Sequence, residues 1–118
     1  MSFKFFSYSK CSTCQKAKKF LLANKVDFQE VDIILNPPSI SELQAILDSG
    51  IYQITDLFNK SGEMYRELNM KDKIKILSKE ELLDLLSKNG KLVKRPILSD
   101  GKRFAVGFKE DFWTDNIV

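Results

Sequence analysis

The two cysteines of the chain occur together, as Cys11-Ser12-Thr13-Cys14. A thiol reacts as its thiolate, so such a pair does chemistry when one sulfur ionises readily and the other can displace what the first has bonded. Two cysteines are too few for a disulfide-stapled secreted scaffold, and C-x-x-C in a reducing compartment suits redox chemistry or redox sensing. Half a zinc site is the next option, but a second chain or carboxylates would have to complete it. The chain has no histidine, which excludes Ser-His-Asp and Cys-His nucleophile systems, Cys₂His₂ zinc sites and imidazole acid–base pairs. An isolated cysteine is most often a small buried hydrophobe; here the pairing and the location argue otherwise.

The location is set by the flanking elements. Phe3 to Tyr8 is short and aromatic, the composition of a strand buried on at least one face. After the cysteines, Ala17, Phe20, Leu21 and Val26 recur at helical spacing with Lys16, Lys18, Lys19 and Lys25 mainly between them, which predicts a helix from about residue 12 to Asn24. Cys11 then stands at a helix N-terminus, where unpaired N–H groups and partial positive charge favour an anion. Lys10 and Lys16 are expected to add to that field and bring Cys11 below the ordinary thiol pKa of about 8.5. Cys11 is thus the expected nucleophile and Cys14 the resolving thiol.

Asp27 to Ile34 predicts a second strand, parallel to the first through a right-handed crossover. Asn36-Pro37-Pro38 breaks the chain, and Ser39 with Glu42 is a capping box opening a helix with Leu43, Ile46 and Leu47 on its buried face and Gly50 as its stop. Short helical pieces are expected around Ile54 to Phe58, Met64 to Leu68 and Lys71 to Leu77, with a break at Ser61-Gly62. Ser78 and Glu81 form a second capping box, ahead of a leucine-rich helix that Gly90 is placed to terminate. The Asp100-Gly101 pair predicts a tight hairpin joining a strand around Pro96-Ile97-Leu98 to a second at Arg103 to Phe108. An amphipathic piece at Glu110 to Trp113 follows, its aromatics expected in the core.

The order is β-α-β, a helical insertion at about 39–90, then β-β-α. With C-x-x-C between the first strand and helix, this is an α/β thioredoxin-like fold with a mixed four-stranded sheet, expected as a single domain over 1–118. A length of 118 residues at 43% hydrophobic supports one core. A net charge of +3 is too small for a dedicated nucleic-acid binder. No apolar run reaches the ~18 residues of a membrane helix, and the N-terminus is too short in apolar residues for a signal peptide. The expected location is cytoplasmic, with no membrane and no direct nucleic-acid partner.

Arg95-Pro96 opens the third strand beside the thiol site. A cis bond there could expose the Arg95 backbone to a bound peptide or thiol, but cis accounts for only about 5–6% of X–Pro bonds, so statistics favour trans. Arg95 is one of three arginines, with Arg66 and Arg103, and a role for it rests on nearness to Cys11.

Four segments, Tyr8-Ser9-Lys10-Cys11-Ser12-Thr13-Cys14-Gln15-Lys16-Ala17, Asn36-Pro37-Pro38-Ser39, Tyr65-Arg66-Glu67-Leu68 and Lys94-Arg95-Pro96-Ile97, together resemble the arsenate reductase (ArsC)/Spx family in order. The likeness is nearest to its small Spx/MgsR- and YusI-type members and covers essentially the whole chain. It implies a reactive thiol at Cys11 and no bound cofactor, with glutathione, thioredoxin or another low-molecular-weight thiol as electron donor and a protein disulfide as a further partner. Arg95 matches an arginine that holds the oxyanion in arsenate reductases. Asn59 and Val106 stand where two other family arginines do, and loss of two cationic forks removes most bidentate oxyanion recognition. The expectation is a thiol–disulfide redox protein rather than an authentic arsenate reductase. The Spx branch implies an alternative, a redox-sensing regulator that binds the RNA polymerase α C-terminal domain and uses the same cysteines as a switch.

Overall fold

In chain order, the computed structural model, which describes residues 2–118, runs β1 (Phe3–Ser7), α1 (Ser12–Ala23), β2 (Phe28–Asp32), α2 (Ile40–Asp48), a 3₁₀ turn at Ile54–Leu57, α3 (Glu63–Glu67), α4 (Met70–Ile76), α5 (Lys79–Lys88), a second 3₁₀ turn at Gly90–Leu92, β3 (Ile97–Ser99), β4 (Phe104–Val106) and α6 (Glu110–Asn116). The chain divides into two compact units, Met1–Asp32 with Arg95–Val118, and Ile33–Lys94.

The first unit holds a four-stranded sheet in the order β2-β1-β3-β4. β1 and β2 are parallel, as a crossover through α1 requires, while β3 is antiparallel to both β1 and β4. The sheet is therefore mixed and the fold α/β, thioredoxin-like. Phe3 and Phe5 of β1, Ala17 and Leu21 of α1, Leu98, Ala105, Trp113 of α6 and Ile117 at its C-cap make one apolar cluster. Each large side chain so buried contributes about 1.5–3 kcal/mol, and Ala17 and Leu21 lie on the face of α1 that the spacing selected. Trp113 is fully buried, and its indole N–H donates to the Gly107 carbonyl at 3.1 Å. The strands are shorter than their apolar runs, and Lys25 turns the chain out of α1 with a φ of 55°.

The hairpin closes as Asp100-Gly101 predicts. Gly101 adopts a φ of +91°, a region that favours glycine. The Asp100 carboxylate accepts the N–H groups of Lys102 and Arg103 at 2.9 and 2.6 Å, and also pairs with the Arg103 guanidinium at 3.0 Å.

In the second unit both capping boxes form, with reciprocal Ser39–Glu42 and Ser78–Glu81 hydrogen bonds. Gly50 follows the α2 cap with a φ of +80°. Gly90 stands where a stop was expected, one residue past the Asn89 cap of α5, yet it is needed for another reason. A Cβ there would lie 1.9 Å from the Ile33 carbonyl oxygen, so the position admits only a residue without a side chain. Phe58 bridges to Val93, and the first expected helical piece is a 3₁₀ turn rather than an α-helix.

Candidate active site

Cys11 is the N-cap residue of α1, extended at φ −101° and ψ 112°, and its Sγ accepts the main-chain N–H of Cys14 at 3.3 Å. A sulfur thus takes the place usually filled by a Ser, Thr or Asp oxygen. The preceding turn is closed by the Cys11 N–H donating to the Tyr8 carbonyl at 3.0 Å, and the Gln15 side chain ties down the Ser9 carbonyl at 3.3 Å. Cys11 is half-buried and Cys14 is 1% exposed; both are free thiols. One sulfur of the pair faces solvent and the other does not.

Their ionisation is unequal in the same sense. Burial pushes the Cys11 thiol up, but hydrogen bonds from the Cys14 side chain and main chain, together with a hydrogen bond and the positive charge from Arg95, outweigh it and hold Cys11 below its usual range. Cys14 is pushed up to about 12, by burial first and then by the sulfur of Cys11, against weaker opposing contributions from a Tyr8 main-chain hydrogen bond and Arg95. The charge acting on Cys11 is the guanidinium of Arg95. Lys10 and Lys16, expected to share that role, are both exposed, and water screens them.

Arg95 reaches the thiol through the sheet. β1 and β3 are antiparallel with Phe6 opposite Ile97, so continuing that register sets Tyr8 across from Arg95, and Tyr8 leads directly into the cysteine turn. The Arg95 Cζ lies 4.9 Å from the centroid of the Tyr8 ring, a cation–π distance. The Arg95–Pro96 bond is cis, contrary to the statistical expectation, and the Pro96 carbonyl accepts the Gly107 N–H at 2.8 Å. Tyr8 is the residue whose part in the site its type and spacing did not signal.

The other arginines are placed differently. Arg103 is held at the hairpin by Asp100, lies 4.7 Å over the Phe3 ring and donates to the Ile117 carbonyl at 3.5 Å. Arg66 is exposed on α3, in the second unit. Val106 is buried in β4, and Asn59 belongs to the second unit, where its N–H donates to Leu92 at 2.8 Å. Behind the site, the buried Ser7 hydroxyl donates to Glu30 at 2.8 Å, and Glu30 pairs with Lys18 of α1 at 3.0 Å. A groove of about 520 Å³ beside α1, lined by residues including Lys16, Phe20 and Phe108, contains neither cysteine nor Arg95. Among the described residues no group of three His, Cys, Asp or Glu side chains is placed to hold a metal ion, and no helix is long and apolar enough to cross a membrane.

A cysteine pair capping the first helix of a four-stranded mixed sheet defines the thioredoxin-like class. Within it, residues 6–116 match the model of the ArsC family, and the chain belongs to that family. It is 44% identical to the Bacillus subtilis protein YusI, over 98% of each chain. It is 38% identical to the global transcriptional regulator Spx of Streptococcus pyogenes, over 86% of this chain and 74% of Spx. Among solved structures, an ArsC-family-related protein from Bacteroides fragilis superposes with a TM-score of 0.91 at 38% identity, covering 98% of this chain and 97% of that one.

Proposed function

We propose that the protein is a cytoplasmic thiol–disulfide redox protein in which Cys11 is the nucleophile, Cys14 the resolving thiol and Arg95 the cation that stabilises the Cys11 thiolate. The observation that carries this reading is the unequal pair: an accessible sulfur capped by the Cys14 N–H at 3.3 Å and next to Arg95, beside a buried sulfur that keeps its proton.

The reaction balances with a disulfide substrate. The Cys11 thiolate attacks one sulfur, the substrate S–S bond breaks, and the first thiolate leaves. Cys14 then loses its proton and attacks the Cys11 Sγ, which breaks the mixed disulfide and expels the second thiolate. The substrate gains two electrons and the protein, left with a Cys11–Cys14 disulfide, loses two. Two equivalents of glutathione, or one dithiol such as reduced thioredoxin, return them. While Cys11 is a thiolate it helps hold the proton on Cys14; in the mixed disulfide that negative charge is gone, so Cys14 ionises more readily at the step that needs it. Arsenate is a poor fit, because Asn59 and Val106 stand in place of two family arginines and leave Arg95, already engaged with the thiol, as the one guanidinium for the oxyanion.

A second reading, a redox-sensing regulator that binds the RNA polymerase α C-terminal domain, is favoured by the 38% identity to Spx. Turnover of a small disulfide with glutathione, wild type against Cys11→Ser, and capture by the polymerase domain with and without oxidant separate the two. Cys11-dependent turnover without capture supports the redox carrier; redox-dependent capture without turnover supports the regulator.

A further inference from the structure

We propose that Tyr8 is the positioning residue of the thiol site, its ring seating the Arg95 guanidinium against Cys11. The inference rests on the redox reading above. Tyr8 touches two members of the site directly: its ring lies 4.9 Å from the Arg95 Cζ, and its carbonyl accepts the Cys11 N–H at 3.0 Å.

The ring contact has a specific consequence. A guanidinium that lays its face on an aromatic ring keeps its N–H groups free, because they point outward in the plane of the fork. Its place over the Tyr8 ring, with the Cζ 4.9 Å from the centroid, restricts a long, rotamer-rich side chain without using the donors that Cys11 needs. Among the described residues no carboxylate forms an ion pair with Arg95, so its charge is left for the thiolate. Among the described residues the Tyr8 hydroxyl has no hydrogen-bond partner either, which makes the ring face, not the phenol, the functional part. The placement follows from the sheet, whose β1–β3 register, continued past the Phe6–Ile97 pair, sets residue 8 across from residue 95.

The test is the rate of Cys11 alkylation across pH in the full chain, for wild type, Tyr8→Phe, Tyr8→Leu, Arg95→Ala and the Tyr8→Leu/Arg95→Ala double variant. Circular dichroism and thermal melting establish that each is folded, with Tyr8→Met replacing Tyr8→Leu if the latter is not. Tyr8→Phe should match wild type. Tyr8→Leu should slow alkylation at neutral pH about two- to fivefold and move the pH profile upward, and in the Arg95→Ala background it should add nothing. A Tyr8→Leu profile equal to wild type, or an equal loss with and without Arg95, overturns the role of Tyr8. A wild-type profile of an ordinary thiol overturns the redox reading itself, so the two failures are distinct.

Discussion

The main-chain N–H of Cys14 donates to the sulfur of Cys11 at 3.3 Å, so the half-buried thiol caps the helix that carries the buried one. The same geometry that favours a thiolate at Cys11 sets the two sulfurs side by side at the start of one helix. Activation and resolution therefore come from a single turn of α1.

The pH profile of alkylation is the first consequence. Cys11 should react below the range of an ordinary thiol, while Cys14 should resist modification until pH nears its value of about 12. Arg95→Ala should slow Cys11 at neutral pH by roughly fivefold, the worth of a charge-assisted hydrogen bond discounted for solvent to about 1 kcal/mol. The variants should converge at high pH, where every Cys11 is ionised. The linkage sign follows: because the folded state lowers this pKa, Cys11 contributes stability present above the ordinary thiol value and lost as pH falls through the lowered one. Denaturation as a function of pH, wild type against Cys11→Ser, measures it.

Replacing the resolving thiol should trap the intermediate. Cys14→Ser incubated with oxidised glutathione should accumulate one glutathione on Cys11, visible in the intact mass and persisting at least about tenfold longer than in wild type. Cys11→Ser should take up none at neutral pH.

The hairpin offers a test away from the thiols. The Asp100 carboxyl is raised by burial but lowered further by the N–H groups of Arg103 and Lys102 and by the Arg103 guanidinium, and the net shift is downward. A depressed carboxylate stabilises the fold above its ordinary pKa, and that stability is lost as pH falls through the depressed value. Asp100→Asn should cost about 1–2 kcal/mol at neutral pH, a difference in melting that narrows in acid.

Much of this was legible in the sequence because the signals were local. The strand-to-helix junction at Cys11, both capping boxes and the Asp100-Gly101 turn depend on residues a few positions apart, and each forms as its chemistry requires. What could not be read depends on the sheet. Tyr8 and Arg95 are brought together only by the pairing of β1 with β3, and nothing near either residue announces it. Lys10 and Lys16 lie near the thiol in sequence, yet both are exposed, and the cation comes from Arg95 instead. The bond before Pro96 is likewise set by tertiary context rather than by residue statistics.

Gly90 shows how a correct position can carry an unforeseen reason. As a helix stop it would tolerate alanine at the modest cost of a glycine replaced near a cap. With the Ile33 carbonyl oxygen 1.9 Å from the added Cβ, Gly90→Ala must displace backbone and should cost about 2–4 kcal/mol, read as a drop in denaturation midpoint. A loss of a few tenths would return Gly90 to the role of a simple stop.

The most direct measurement is the intact mass and thiol count of the wild-type protein before and after mild oxidation. The expected result is the loss of two hydrogens, with neither cysteine open to alkylation until a thiol reductant restores both, and a peptide map that joins Cys11 to Cys14. Two thiols that stay free and alkylatable under the oxidant would contradict a redox pair at the start of α1.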